Sequence, residues 1–233
     1  MEPVRNLWER ALRPGEGFRQ RAREAPALGA SLKELLLLRS PLAFLGMVLG
    51  YLSFSSLYAR LISPESDLWT RILPQLPETV DPAELRAALA NLPAAPGLHA
   101  LLPWMAALAP VAVLGLWLHD ATFDHMALWL LGGLRERRGF RASLVADAEA
   151  LKVGALGAAA ALLAELPGVG FVLGLALLPV AAYFWILRGY ALAAWHGCAP
   201  WKGVVATLVH VALVGVWLGL LILACVVGVL MLL

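Results

Sequence analysis

Five long apolar stretches, separated by more polar segments, occupy most of the chain after residue 40. A helix that crosses a bilayer needs about 20 mostly apolar residues, and several of the stretches reach that length. Because lipid offers the backbone no hydrogen-bond partners, a stretch that crosses it must be helical. The sequence therefore predicts an all-α polytopic membrane protein whose five transmembrane helices form a bundle. The predicted spans cover about residues 41–59, 98–118, 151–166, 169–187 and 203–233.

The composition excludes an ordinary water-soluble domain. Apolar residues make up 61% of the 233 residues and charged residues only 15%. A soluble domain has about half of its residues apolar and about a quarter charged. The abundance of Ala, Leu, Gly and Arg is typical of a prokaryotic protein, so we expect the chain in a prokaryotic cytoplasmic (inner) membrane.

The basic residues are distributed unevenly around the five stretches. Fifteen of the 18 Lys and Arg lie before the first stretch or in the second and fourth gaps, and three lie in the first gap. Basic residues favour the cytoplasmic side of a membrane. This asymmetry predicts a cytoplasmic N-terminus and, after five crossings, a C-terminus outside. No cleavable signal peptide is recognisable, so the first span itself would direct insertion.

The N-terminal residues predict a separate cytoplasmic arm, residues 1–40, ahead of the membrane domain, residues 41–233. An amphipathic helix is predicted before Pro14, with basic residues outside its apolar face. Two interpretations are open: the helix lies on the anionic cytoplasmic leaflet, or it packs on the cytoplasmic face of the bundle. The apolar positions of this helix are Val4, Leu7, Trp8, Ala11 and Leu12.

Polar residues predict the starts of two further helices. Ser31 and Glu34 form a capping-box pattern, which predicts a short helix over residues 32–38 that leads into the first span. Asp81, followed by a proline, predicts a surface helix that reaches about Leu92 in the first gap.

The second apolar stretch continues into a polar extension instead of ending at a turn. Residues 119–125 contain two aspartates and two histidines, and a second apolar run follows up to residue 131. Residues 119–131 are therefore either the continuation of one long helix or a short re-entrant segment. The basic loop 135–141 is cytoplasmic in both cases.

Charged and histidine side chains at membrane depth are the best candidates for a functional site, because burying them in lipid is costly. Most of them fall near the predicted cytoplasmic side. Asp120 and Asp124 would share one helix face, where two carboxylates repel each other unless a proton or a cation is present. The candidate cluster contains Asp120, Asp124, His125, Arg188, His196 and His210.

Three interpretations of this cluster are open. In the structural one, Arg188 or the basic loop 135–141 neutralises the aspartates at the interface. In the second, Asp120 and Asp124 bind a metal together with His119, His125 or His196. The third is proton or ion transport through these groups.

Small residues predict close packing between the helices. Helices in lipid associate through close backbone contacts, which small side chains permit. The pattern of two glycines four positions apart occurs in three of the spans. We expect a compact bundle with one small-sided face available to a homo-oligomer. The packing glycines are Gly46, Gly50, Gly170, Gly174, Gly215 and Gly219.

Motifs for catalysis are missing from the sequence. It has no nucleophile elbow, no P-loop, no dinucleotide-binding glycine pattern and no HExxH zinc motif. We therefore expect a non-enzymatic protein without a cofactor. A metal-dependent membrane hydrolase is the alternative if the Asp/His cluster binds a metal.

The region from residue 132 to residue 203 resembles the Yip family, a five-pass membrane domain named for its binding to Ypt/Rab GTPases, in its prokaryotic branch. The resemblance implies five spans, a cytoplasmic N-terminus and a C-terminus outside. It rests on Gly132-Gly133, Gly139-Phe140-x-x-Ser143-Leu144, Leu166-Pro167-x-x-Gly170, Trp185 with Gly189, His196-Gly197-Cys198-Ala199-x-x-Lys202-Gly203 and, in the arm, Pro14-x-x-x-Phe18-Arg19.

Two departures from the family pattern affect the expected partners. The aromatic residue and proline that often enter the third span are replaced by residues 147–152, and the Asp-Leu-Tyr-Gly-Pro stretch of eukaryotic members is missing from residues 1–40. The departures argue against a Rab-type GTPase partner. We expect a Yip-like protein that organises membrane or scaffolds partner proteins and lipids, with no nucleic-acid partner. The alternative function is a small transporter or an ion- or proton-conducting protein that uses Asp120, Asp124 and nearby histidines.

Overall fold

The computed structural model describes residues 4–63, 66, 69, 81–134, 139–165 and 170–232. For Val4, Arg86, Ala90 and residues 228–232 it describes the backbone alone. Most of the predicted basic loop, at 135–138, and part of the family pattern, at 166–169, lie outside the described residues.

Regular structure in the described part of the chain is entirely helical, which confirms the predicted all-α class. Eight α-helices and one short 3₁₀ helix, Leu162–Glu165, are present there. The α-helices are α1 (Val4–Leu12), α2 (Pro14–Glu24), α3 (Leu28–Ile62), α4 (Pro82–Ala90), α5 (Leu98–Leu130), α6 (Phe140–Ala161), α7 (Gly170–His196) and α8 (Pro200–Leu232).

Four of the described helices are long and apolar enough to cross a membrane: α3, α5, α7 and α8 as far as Val227. This confirms that the chain has the helices of an integral membrane protein. The predicted third span falls in α6 and the 3₁₀ helix, which are not among these four. The middle of α6 carries three charged residues, Asp147, Glu149 and Lys152, which make it more polar than the other long helices.

Several helices extend beyond the apolar stretches that predicted them. Helix α3 begins at Leu28 and passes through Pro41 without a break, and its N-cap is Ala27. The capping box predicted at Ser31 and Glu34 is therefore wrong, because both residues lie inside the helix. Helix α5 is continuous to Leu130, which shows that residues 119–131 extend the helix and are not re-entrant. The helix start predicted at Asp81 is confirmed: its side chain accepts a hydrogen bond from the Ala83 amide at 2.7 Å.

The buried core lies at one end of the bundle. Buried residues concentrate in the second halves of α5 and α7 and in the first halves of α6 and α8. The other halves of α5, α7 and α8 present mostly exposed apolar side chains, as expected of a surface that faces lipid. Helices α1 and α2 pack on the buried end, where Leu7, Ala11 and Phe18 join its core. We call α1 and α2 the N-terminal helix pair.

Helices α7 and α8 approach each other closely at Gly189 and Gly203. A methyl group added to Gly189 would overlap the backbone of Val204, and one added to Gly203 would overlap the carbonyl of Gly189. Glycine is therefore required at both positions for this contact, which sets the spacing of the two helices that carry Arg188 and His210.

Candidate functional site

Arg188, on α7, lies at the centre of the buried end and binds three carboxylates from two other helices. Its Nε lies 2.6 Å from Asp124 Oδ2 and 3.0 Å from Asp147 Oδ1, and its Nη1 lies 2.9 Å from Asp120 Oδ2. All four side chains are buried. Arg188 therefore neutralises Asp120 and Asp124, as the structural interpretation expects, and it ties α5 and α6 to α7. We call these four residues the Arg188 cluster.

Asp147 is the member of the cluster that sequence reasoning missed. Its Oδ2 is buried and has no hydrogen-bond partner among the described residues. Burial raises the pKa of Asp147 well above its ordinary value, and the negative charge of Asp124 adds to the rise, although Arg188 opposes it. The position of Asp147 before the predicted third span gave it the appearance of a loop residue. Three carboxylates thus share one guanidinium group.

His210 extends the cluster onto α8. Its Nδ1 lies 2.8 Å from Asp124 Oδ1 and 3.1 Å from Arg188 Nη2. Trp185 packs edge-on against the His210 ring at a centroid distance of 5.6 Å, and it lies over the Arg188 guanidinium at 5.2 Å. The structure therefore places four of the six candidate residues, Asp120, Asp124, Arg188 and His210, in one polar network that connects four helices.

The two remaining candidates, His125 and His196, form a separate pair around one hydroxyl group. The hydroxyl oxygen of Ser143 lies 2.9 Å from His125 Nδ1 and 2.8 Å from His196 Nε2. Since the hydroxyl has only one proton, it can donate to one ring nitrogen while it accepts from the other. This arrangement joins α5, α6 and α7 next to the Arg188 cluster, and a metal site made of Asp120, Asp124 and either of these histidines is not formed.

A second buried ion cluster surrounds Glu149, and the sequence analysis did not predict it. The Glu149 carboxylate lies 2.6 Å from Arg10 Nη1, accepts a hydrogen bond from the Ser31 hydroxyl at 2.6 Å and lies 2.7 Å from Lys152 Nζ. Lys152 also pairs with Glu34 at 2.7 Å. Burial alone would raise the pKa of Glu149, but Lys152, Ser31 and Arg10 outweigh it and lower the pKa to about 2.

The Glu149 cluster attaches the N-terminal helix pair to the bundle. Arg10 comes from α1, and Arg21 of α2 lies 3.3 Å from the same carboxylate. The Tyr183 hydroxyl on α7 donates to the Ala11 carbonyl at 2.5 Å. One signal in the sequence could have revealed this cluster: Glu149 and Lys152 are three positions apart on α6, so they share a helix face beside an apolar stretch.

A cavity of about 370 Å³ opens beside the Arg188 cluster. Asp120, Arg188 and Arg39 line its polar end, and apolar side chains from α6 and α7 line the rest. Arg39, on α3, donates a hydrogen bond to the Gly154 carbonyl at 3.1 Å. Gly154 and Gly157 of the predicted third span are among the lining residues, and a methyl group on Gly157 would overlap the Phe184 ring.

The six predicted packing glycines have different surroundings in the structure. A methyl group on Gly46, Gly50 or Gly174 would lie 3.6–3.9 Å from the side chains of the 3₁₀ helix, an ordinary packing distance. One on Gly170 would overlap the Ala164 carbonyl. Gly215 and Gly219 are exposed and have no described atom within 4 Å of that position. Their face of α8 is thus open to lipid or to another protein.

Comparison of the chain with models of known protein families, with characterised proteins and with solved structures finds no significant match in any of the three. These comparisons therefore assign the chain to no family.

Proposed function

We propose that the protein is a Yip-like integral membrane protein, without an enzymatic activity of its own, that organises membrane or scaffolds lipids and partner proteins. In this proposal the predicted third span, about residues 151–166, is the fifth crossing. The N-terminus lies in the cytoplasm of a prokaryotic cell and the C-terminus outside. The charge asymmetry of the sequence and the Yip-like residues support this topology.

The observation that carries the proposal is the way in which the N-terminal helix pair is held. Its buried side is fixed to the bundle by the Glu149 cluster, while Trp8 and Leu12 on the other side are 51% and 73% exposed. Four arginines of this segment are also exposed, one of which, Arg5, pairs with Glu9 at 3.0 Å. A basic helix with exposed Trp and Leu suits an anionic membrane surface. The four arginines are Arg5, Arg13, Arg19 and Arg23.

The function of the helix pair can be tested with vesicles that contain the protein. These vesicles are mixed with protein-free vesicles in which about a third of the lipid is an anionic phospholipid. The two kinds of vesicle should cluster, because the exposed face of the helix pair would bind the second membrane. The double variant Trp8→Ala/Leu12→Ala should reduce clustering several-fold without a loss of thermal stability. Clustering is measured by light scattering.

Trp217 provides a matched control, because its side chain on α8 is 49% exposed but lies far from the helix pair in the chain. Trp217→Ala should cluster vesicles as the wild type does. Equal clustering by the wild type and the double variant would reject the proposed role of the helix pair. Clustering of the same extent without the anionic lipid would also reject it.

A second candidate function, a small transporter or an ion- or proton-conducting protein, is favoured by the cavity that reaches Asp120 and Arg188. A polar group at the end of a cavity is accessible to a transported ion, whereas a fully enclosed ion pair is not. Vesicles loaded with a pH-sensitive dye would reveal proton flux. Flux in the wild type that is lost in Asp120→Asn supports this candidate, and equal flux in both, or none in either, rejects it.

A further inference from the structure

Two histidines and one aspartate converge where α5 and α8 meet, next to the Arg188 cluster. One nitrogen of His119, one nitrogen of His210 and one carboxylate oxygen of Asp120 lie within 4.8 Å of one another. His119 Nδ1 is 3.2 Å from Asp120 Oδ1. Two ligands of a tetrahedral zinc ion are separated by about 3.4 Å, given bond lengths of about 2.0–2.1 Å. Small side-chain rotations would thus bring all three groups to bonding distance.

The His210 ring is already oriented by a second carboxylate. His210 Nδ1 faces Asp124 Oδ1 at 2.8 Å and Arg188 Nη2 at 3.1 Å, and it cannot donate to the carboxylate and accept from the guanidinium at the same time. The shorter contact, with the carboxylate, favours a proton on Nδ1. In that tautomer Nε2 carries the lone pair that a metal requires. A carboxylate that orients a ligating histidine in this way is a regular feature of protein metal sites. Asp124 therefore prepares His210 for binding instead of competing for the ion.

The charge around the site is compatible with a cation even though Arg188 is nearby. Arg188 Nη1 binds Oδ2 of Asp120, so Oδ1 stays on the side of His119. The Arg188 cluster contains three carboxylates and one guanidinium group. An added divalent cation would meet an excess of acidic groups there.

His119 is the accessible member of the site, because its side chain is 39% exposed while Asp120 and His210 are buried. The rings of Phe123 and His210 lie 4.7 and 5.4 Å from the His119 ring. A bound ion would be partly shielded by these rings and could still exchange with its surroundings through His119.

We propose that His119, Asp120 and His210 form a binding site for a divalent transition-metal ion of the zinc class. Imidazole nitrogens together with one carboxylate oxygen suit zinc and its neighbours better than magnesium or calcium, which prefer sets of oxygen ligands. Three protein ligands leave a fourth position for water or another group. The site is independent of the proposed membrane-organising function, which needs none of these residues.

Zinc binding to the purified protein tests the site directly. The protein, prepared with an affinity tag that contains no histidine, is equilibrated with ZnCl₂ in detergent, and bound metal is measured by elemental analysis and titration calorimetry. We expect about one zinc ion per chain. His119→Ala should weaken binding by at least the roughly 10–100-fold that is typical for disturbing a metal site. This variant leaves the contacts of Arg188 untouched, so the protein should stay folded.

Two further variants make the result specific. His99→Ala removes an exposed histidine near the start of α5 and should bind zinc as the wild type does. His119→Cys replaces one zinc ligand by another and should retain most of the affinity lost in His119→Ala. Absence of zinc from the wild type, unchanged affinity in His119→Ala, or an equal loss in His99→Ala would each overturn the proposal.

Discussion

At the scale of single residues, Arg188 has the largest structural role, because three buried carboxylates depend on it. Removing one partner of a buried ion pair leaves an uncompensated charge and costs about 3–5 kcal/mol. We predict that Arg188→Ala lowers the free energy of unfolding by about this amount, and that Arg188→Lys, with a charge but fewer donor directions, loses less. Unfolding of the detergent-solubilised protein measures both.

The matched control is Arg13→Ala, since Arg13 is exposed on the loop between α1 and α2. Exposed substitutions usually change stability by no more than about 0.5 kcal/mol. If Arg188→Ala were as stable as Arg13→Ala, the Arg188 cluster would have no structural role.

Glu149 makes the attachment of the N-terminal helix pair dependent on pH. Its pKa in the folded protein is about 2, against an ordinary value of 4.5. A lowered pKa means that the ionised group stabilises the fold above pH 4.5, and that this contribution is lost as the pH falls from 4.5 towards 2. We predict that thermal stability declines over this interval in the wild type. Glu149→Gln should be less stable at neutral pH and should lack this part of the decline, and parallel curves for the two proteins would contradict the assignment.

At the scale of helices, the contact between α7 and α8 depends on Gly203. Because a methyl group there would overlap the Gly189 carbonyl, Gly203→Ala should force the helices apart and destabilise the protein by about 1–3 kcal/mol. Gly215→Ala, on the open face of α8, should be neutral or stabilise by up to about 1 kcal/mol through helix propensity. Thermal unfolding measures the stability of the two variants. A similar change of stability in both would show that the close contact between α7 and α8 is not required.

The apolar stretches predicted which helices form, but not where they end. Long apolar stretches predicted α3, α5, α7 and α8, because a backbone that crosses lipid must form its hydrogen bonds within a helix. The predicted spans were shorter than the helices, because polar residues such as Asp120 and Arg188 look like the ends of spans in the sequence. In the structure they pair with each other inside the bundle, so the helices continue through them.

The candidate site was predictable in part for the same reason. Charges near membrane depth identified Asp120, Asp124, Arg188 and His210, because such residues are costly to bury alone. The sequence did not predict Asp147 or Glu149. Their role depends on which helices lie next to α6, and hydropathy carries no information about helix neighbours.

At the scale of the whole molecule, the bundle has one polar, ion-paired end and one apolar end. The polar end holds the N-terminal helix pair, both ion clusters and the proposed metal site. The apolar end exposes mostly side chains suited to lipid. This division lets the bundle bury several charged residues as ion pairs at one end while the other end stays apolar.

The most direct test of the account is the side of the membrane on which each terminus lies, because the proposal requires five crossings and a cytoplasmic helix pair. After Cys198→Ser and Cys225→Ser, a single cysteine is introduced either as Arg13→Cys or after Leu233, and spheroplasts are treated with a membrane-impermeant maleimide. We predict that the C-terminal cysteine is labelled in intact spheroplasts and that Cys at position 13 is labelled only after lysis. Labelling of both, or of neither, before lysis would indicate an even number of crossings and contradict the account.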